Sequence, residues 1–195
     1  MIIWPKLKWK EDVREITMMG HRMEYRELSK RVKQTDLPIT REAMGIDPGR
    51  NFGIAVVSPI EDRYTDLRIA YGNLHMDPEW HYTDDGDFAY HIATKIFGAR
   101  VLLPTTMEVG VEAAAFSSSP GQANLAYIRY GFFLAAKHAG YATSMVAINT
   151  ARKSATGKGT IPMWDLLPNM NENAADALGV ALHMAGYRAP PPTDD

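Results

Sequence analysis

No cysteine occurs among the 195 residues, so disulfides, thiolate metal sites and thiol nucleophiles are excluded. No run of 18 apolar residues is present, which excludes a hydrophobic membrane-spanning helix. Lys6, Lys8, Lys10, Glu11 and Asp12 interrupt the first apolar stretch, and no signal-peptide core forms there. The six histidines show no metal-ligand spacing, and no internal repeat is visible. Charge of one sign is also scarce. The formal net charge is −2, which argues against a polycationic binder but leaves room for a local basic patch. The expectation is a soluble, cytoplasmic protein with no membrane partner.

What charge there is divides unevenly. Residues 1–42 hold ten Lys and Arg against seven Asp and Glu, and residues 43–195 hold eleven against sixteen. The basic first segment reads as two short helices, over 9–19 and 24–32. Gly20 lies between them, and Tyr25, Leu28 and Val32 fall at helical spacing. Such a pair is either a small DNA-binding hairpin or an arm packed on the main domain or a second subunit. Pro38 marks a linker. The expected organisation is a basic helical extension over 1–42, a catalytic domain over 43–188 and a disordered, proline-rich tail over 189–195.

From residue 43 the pattern becomes strand-like. Residues 44–47 and 52–58 form two apolar strands around Asp47-Pro48-Gly49-Arg50-Asn51, and 67–74 alternates as a third. Residues 75–87 read as a loop and 88–101 as a helix. A fourth strand spans 109–112, and a helix follows from Ser119-Pro120 to Gly140. A fifth strand spans 141–148, a Lys/Arg/Gly loop 150–160, and the last helix 173–184. The order β-β-β-α-β-α-β-α predicts an α/β protein of ribonuclease H-like fold: a mixed five-stranded sheet flanked by helices.

Three acids stand out in that frame. Asp47 closes the first strand, Glu112 closes the fourth, and Asp176 lies early in the last helix among small residues. Ligands of open α/β sheets bind at the carboxyl ends of strands, so the three could converge there. Clustered carboxylates repel one another unless cations bind between them, and hard oxygen ligands suit Mg²⁺ or Mn²⁺. Two such ions can activate water and stabilise the leaving oxygen in phosphodiester cleavage. Taken singly, each acid has an ordinary alternative as a turn residue, an exposed strand end or a helix-start charge.

The ordered motifs resemble those of RuvC-type Holliday junction resolvases. Met44-Gly45-Ile46-Asp47-Pro48-Gly49 with Phe52-Gly53-Ile54-Ala55-Val56-Val57 resembles the opening strand pair of that family. Val111-Glu112-Ala113 and the helix after it resemble its second acid and long helix. Arg152-Lys153-Ser154-Ala155-Thr156-Gly157-Lys158-Gly159 resembles its basic loop, and 173–181 its final acidic helix. The resemblance covers about residues 43–187. It implies a homodimer that binds four-way DNA junctions and nicks two strands with Mg²⁺ or Mn²⁺, two ions per site. It maps catalytic, metal-binding roles onto Asp47, Glu112 and Asp176, and places Asn173 where the family has another acid. Glu172 is adjacent as a substitute, although about 100° away on a helix. This departure, a short stretch between Gly159 and Asn173, and the extra N-terminal segment make the chain look more like a phage-type member.

For DNA contacts the candidates are Arg50 beside the first acid, Arg129 on the long helix, and the cluster Arg152, Lys153 and Lys158. Phe116 either stacks at an opened junction or plugs its loop onto the core. Tyr127, Tyr130, Phe132 and Phe133 read as core or dimer interface. The leading expectation is a structure-selective, metal-dependent endonuclease. The alternative is a catalytically weakened relative that binds branched nucleic acid without efficient cleavage.

Overall fold

The computed structural model describes residues 7–18, 21–49, 51–61, 63–73, 89–91, 93–94, 106–113, 120–167 and 170–190. The elements in chain order are β1 (Lys10–Met18), β2 (His21–Lys33), β3 (Ala43–Asp47), β4 (Asn51–Ile60), β5 (Tyr64–Asn73) and β6 (Glu108–Ala113). They continue with α1 (Pro120–His138), β7 (Ala142–Ala147), α2 (Ile148–Thr156), α3 (Met163–Leu166) and α4 (Glu172–Met184). The strands form one seven-stranded sheet in the order β1-β2-β5-β4-β3-β6-β7. β3–β6 and β6–β7 pair in parallel; every other pairing is antiparallel.

The central strands β3, β4 and β6 are almost continuously apolar and buried, as strands covered on both faces must be. Strand parity sorts their side chains. Met44 and Ile46 of β3 with Val109 and Val111 of β6 face α1, joining Ile128, Phe132, Ala135 and Ala136. The alternate residues face α4, where Ala43, Val57, Leu67 and Ile69 pack with Ala174, Ala177, Leu178 and Ala181. Two hydrophobic layers therefore sandwich the sheet.

The sheet differs from the expected five strands because the first segment is not helical. Residues 10–18 and 21–33 form a long antiparallel hairpin, and β2 adds nine further pairs to β5, from Tyr25 opposite Gly72 to Lys33 opposite Tyr64. The helical spacing of Tyr25, Leu28 and Val32 arises from two faces of one strand. Leu28 and Val32, four apart, share the α4 face, whereas Tyr25 packs with the α1 layer. The Arg26–Glu11 pair bridges the two strands at 2.8 Å.

A second correction concerns residues 150–160, expected as a loop. Most of that stretch is α2, with Ala151, Ser154 and Ala155 buried on one side. Gly157, which signalled the loop, is the helix's C-terminal cap: its φ of 82° is left-handed and its N–H bonds the Lys153 carbonyl. The expected five strands are otherwise present, and α1 begins at Pro120 as predicted. Of the helix expected over 88–101, residues 89–91 and 93–94 are helical; the rest, the loop at 75–87 and tail residues 191–195 lie outside the described residues. No described helix is long and apolar enough to cross a membrane.

Candidate metal centre

Parity also carries two of the acids to the same place. Asp47 is two residues beyond Gly45 and Glu112 two beyond Gly110, so each acid lies on its glycine's face of the sheet. Both glycines lie under α4. A Cβ on Gly45 would overlap the backbone of Ala177 and Ala181, and one on Gly110 would come within 2.7 Å of Val180 and Met184. A Cβ on Gly53 in β4 would likewise overlap the backbone at Asn173. The missing side chains let α4 lie flush on the sheet, and its alanines complete the close approach. With β3 and β6 paired up to Ile46 opposite Val111, Asp47 and Glu112 emerge side by side at the sheet edge. Asp176, on the second turn of α4, arrives from above.

The three carboxylates offer oxygen atoms that lie within 4.8 Å of one another, and all three residues are buried. Two ligands on opposite sides of an octahedral Mg²⁺ lie about 4.2 Å apart, so a small contraction would close the set on one ion. The oxygen-only donor set and its burial fit a hard divalent cation.

Without such an ion the acids resist ionising together. Burial, followed by the charge of Glu112, pushes Asp47 up to about 9 from 3.8. Burial raises Glu112 as well, and the two share a hydrogen bond. Asp176 is also raised by burial, against the opposing pull of Arg152.

Two arginines reach into the cluster. Arg152, from α2, donates two hydrogen bonds to Asp176, Nε to Oδ1 at 3.2 Å and Nη2 to Oδ2 at 2.9 Å. Its guanidinium also lies 4.9 Å from the centre of the Trp164 ring, a cation–π contact that fixes its plane. Arg129, from α1, places Nη2 3.7 Å from Oε1 of Glu112. Its Nε is buried and has no hydrogen-bond partner among the described residues.

The other sequence-derived candidates fall in different places. Asn173 opens α4 half-buried, its backbone N–H accepted by the side chain of Asn171, the N-cap. Glu172 is exposed, although its charge helps raise Asp176. Lys153 and Lys158 are exposed near the end of α2. Lys153 lines a cavity of about 360 Å³ with Ser154, His183 and Arg188. Arg50 and Phe116 lie outside the described residues. Sequence reasoning treated Arg152 and Arg129 as DNA contacts and missed that both face the acids. It missed Trp164 altogether. No local signal joins Trp164 to Arg152, because the two meet only through the packing of α3 against α2.

No protein-family model and no curated protein matches the chain. Solved structures do. A structure of RuvC from Thermus thermophilus is 18% identical, with a TM-score of 0.53, over 72% of this chain and 91% of that one. The same protein in complex with a Holliday junction substrate is 17% identical at TM-score 0.53, over 73% and 91%. The chain therefore has a RuvC-like, ribonuclease H-like fold, with three buried acids at the edge of its sheet where a metal ion could bind.

Proposed function

We propose that this protein is a metal-dependent endonuclease of RuvC type that nicks branched DNA, four-way junctions in particular. The observation that carries the reading is the convergence of Asp47, Glu112 and Asp176 at the sheet edge of a RuvC-like fold. The junction is suggested by the neighbour, which was solved with a Holliday junction substrate. Asp47, Glu112 and Asp176 would hold Mg²⁺ or Mn²⁺, with Asn173 contributing at most a neutral carbonyl oxygen. The ion would supply an activated water and a Lewis acid at the scissile phosphate. Asp47, whose carboxyl burial and the charge of Glu112 push up to about 9, would give up its proton on holding the ion.

The chain's own cations orient the substrate. The Arg129 Nε–H, which has no partner among the described residues, and the N–H groups of Arg152 not bonded to Asp176 can donate to oxygens of a phosphate seated at the cluster. Lys153 and Lys158, exposed beyond it, contact phosphates further along the strand. Arg50 and Phe116 are proposed as further contacts beside the first and second acids. Two opposed cuts in a two-fold junction call for a two-fold protein. The candidate dimer surface is α1, where Tyr127 and Tyr130 are more than half exposed and the Tyr130 ring stacks on Phe133 at 6.0 Å.

One observation favours the weaker alternative, binding without efficient cleavage. Arg152 already engages both oxygens of Asp176, and Asn173 adds no charge. Incubating the protein with labelled four-way junction, linear duplex and RNA–DNA hybrid, with Mg²⁺ or Mn²⁺, decides between them. Symmetric nicking of the junction, abolished by Asp47→Asn while binding persists, is expected. Cleavage undiminished in Asp47→Asn removes the acids from the chemistry. Tight junction binding with no cleavage under either ion selects the alternative.

A further inference from the structure

We propose that Arg129 and Arg152 together take the place of one divalent cation, so that the centre binds a single metal ion, held chiefly by Asp47 and Glu112. This rests on the reading of the site as a metal-dependent nuclease and departs from the expectation of two ions. The charge balance motivates it. Three ionised carboxylates carry −3. With two divalent ions and no arginines, such a cluster would reach +1. Here the guanidinium groups supply +2 from the protein itself, and one divalent ion brings the total to the same +1. A second ion would raise it to +3 at a cluster where one oxygen from each acid lies within 4.8 Å of the others.

Geometry assigns the protein's share chiefly to Arg152. Its fork takes one lone pair on each oxygen of Asp176, so both oxygens of that carboxylate are already engaged by a single cation. The guanidinium is not a loose tether. It is held against Trp164, and it extends from a helix whose neighbouring Ala151, Ser154 and Ala155 are buried. Displacing it would break two hydrogen bonds and the ring contact. Arg129 adds its charge at Glu112, where its side chain is mostly buried. Asn173, at the start of α4, offers no negative charge to hold a second ion on the Asp176 side.

The test counts ions. Calorimetric titration of the full-length protein with Mn²⁺ alone, with free Mn²⁺ followed by electron paramagnetic resonance, should give one ion per chain for the wild type. Arg152→Gln removes the charge and should open a second site. Arg152→Lys keeps the charge and should remain at one. Two ions of comparable affinity in the wild type overturn the inference but leave the metal-nuclease reading standing. A count of one in Arg152→Gln, with affinity unchanged, shows that Arg152 is not the placeholder. No bound Mn²⁺ in the wild type overturns both. Should Arg152→Gln fail to fold, the wild-type count still decides.

Discussion

Raising the pH in the absence of divalent ions should destabilise this protein, and a bound ion should cancel the effect. Asp47 is pushed up to about 9 in the folded chain, against 3.8 for its ordinary value. Between those limits the folded chain holds a proton that the unfolded chain has released. Stability then falls by about 1.4 kcal/mol per pH unit, and the loss is complete once the pH has passed through 9. The raised Glu112 and Asp176 act in the same direction. His183 opposes them only at lower pH: burial holds it below 6.5, so its contribution is gained as the pH rises to that value and is constant above it. Tyr71 and Tyr187, raised from 10, enter only above that. The window from pH 7 to 8.5 therefore isolates the carboxylates. Across it the loss from Asp47 alone is about 2 kcal/mol, which for a chain of this size lowers Tm by about 4–8 °C. Calorimetry in EDTA at pH 7.0, 7.75 and 8.5 measures it. Excess Mg²⁺ should flatten the slope, since metal replaces the proton, and apparent metal affinity should rise towards tenfold per pH unit over the same range. Asp47→Asn should make it shallower in EDTA, leaving only what Glu112 and Asp176 contribute. A wild-type Tm that is constant or rising in EDTA would refute the reasoning, because Asp47 would then be ionised in the folded metal-free chain.

Four further outcomes follow from the same geometry. Replacing Lys153 and Lys158 with Ala should weaken binding to every DNA alike and flatten the logarithmic salt slope by about 1.8, two phosphate contacts at roughly 0.9 each; an unchanged slope places both side chains away from DNA. Tyr127→Glu with Tyr130→Glu should convert a dimer to a monomer in light scattering, and a wild type that is monomeric with and without junction removes α1 as an interface. Gly45→Ala should cost about 3 kcal/mol or more in denaturant unfolding, because its Cβ would overlap helix backbone rather than a yielding side chain. Asn173→Asp should tighten Mn²⁺ binding by about tenfold, or 1.4 kcal/mol; if it changes nothing while Glu172→Gln weakens binding, Glu172 is the ligand.

The legible parts of this fold are those whose signal is local. The apolar runs of β3, β4 and β6 are unambiguous because strands buried on both faces need little else. Pro120 and Gly140 bracket α1 through the backbone conformations that those residues favour or forbid. The N-terminal hairpin was misread for a physical reason. It lies at the edge of the sheet, its faces are only partly covered, and its few apolar residues serve two layers. A sparse pattern shared between two faces imitates helical spacing. α2 was misread because its Lys, Arg and Gly are loop-like in composition, although the buried Ala151 and Ala155 keep a helical period and Gly157 only ends it.

The acids were legible for a deeper reason than their place at strand ends. Gly45-x-Asp47 and Gly110-x-Glu112 carry the same two-residue spacing, which in a strand puts glycine and acid on one face. A helix can lie directly on the glycines, and the acids then stand just beyond the point of contact. On α4 the complementary surface is Ala177 and Ala181, with Asp176 one residue before the first of them. The close packing of helix on sheet and the convergence of the carboxylates are thus a single arrangement, written in small residues adjacent to acidic ones. The arginines have no such signature. Arg129 and Arg152 sit on different helices, each among residues that explain it equally well as a surface charge, and only the packed structure turns both towards the acids. On the single-ion proposal their presence changes what the site asks of solution: two positive charges from within stand against three carboxylates, and less is left for external cations to balance.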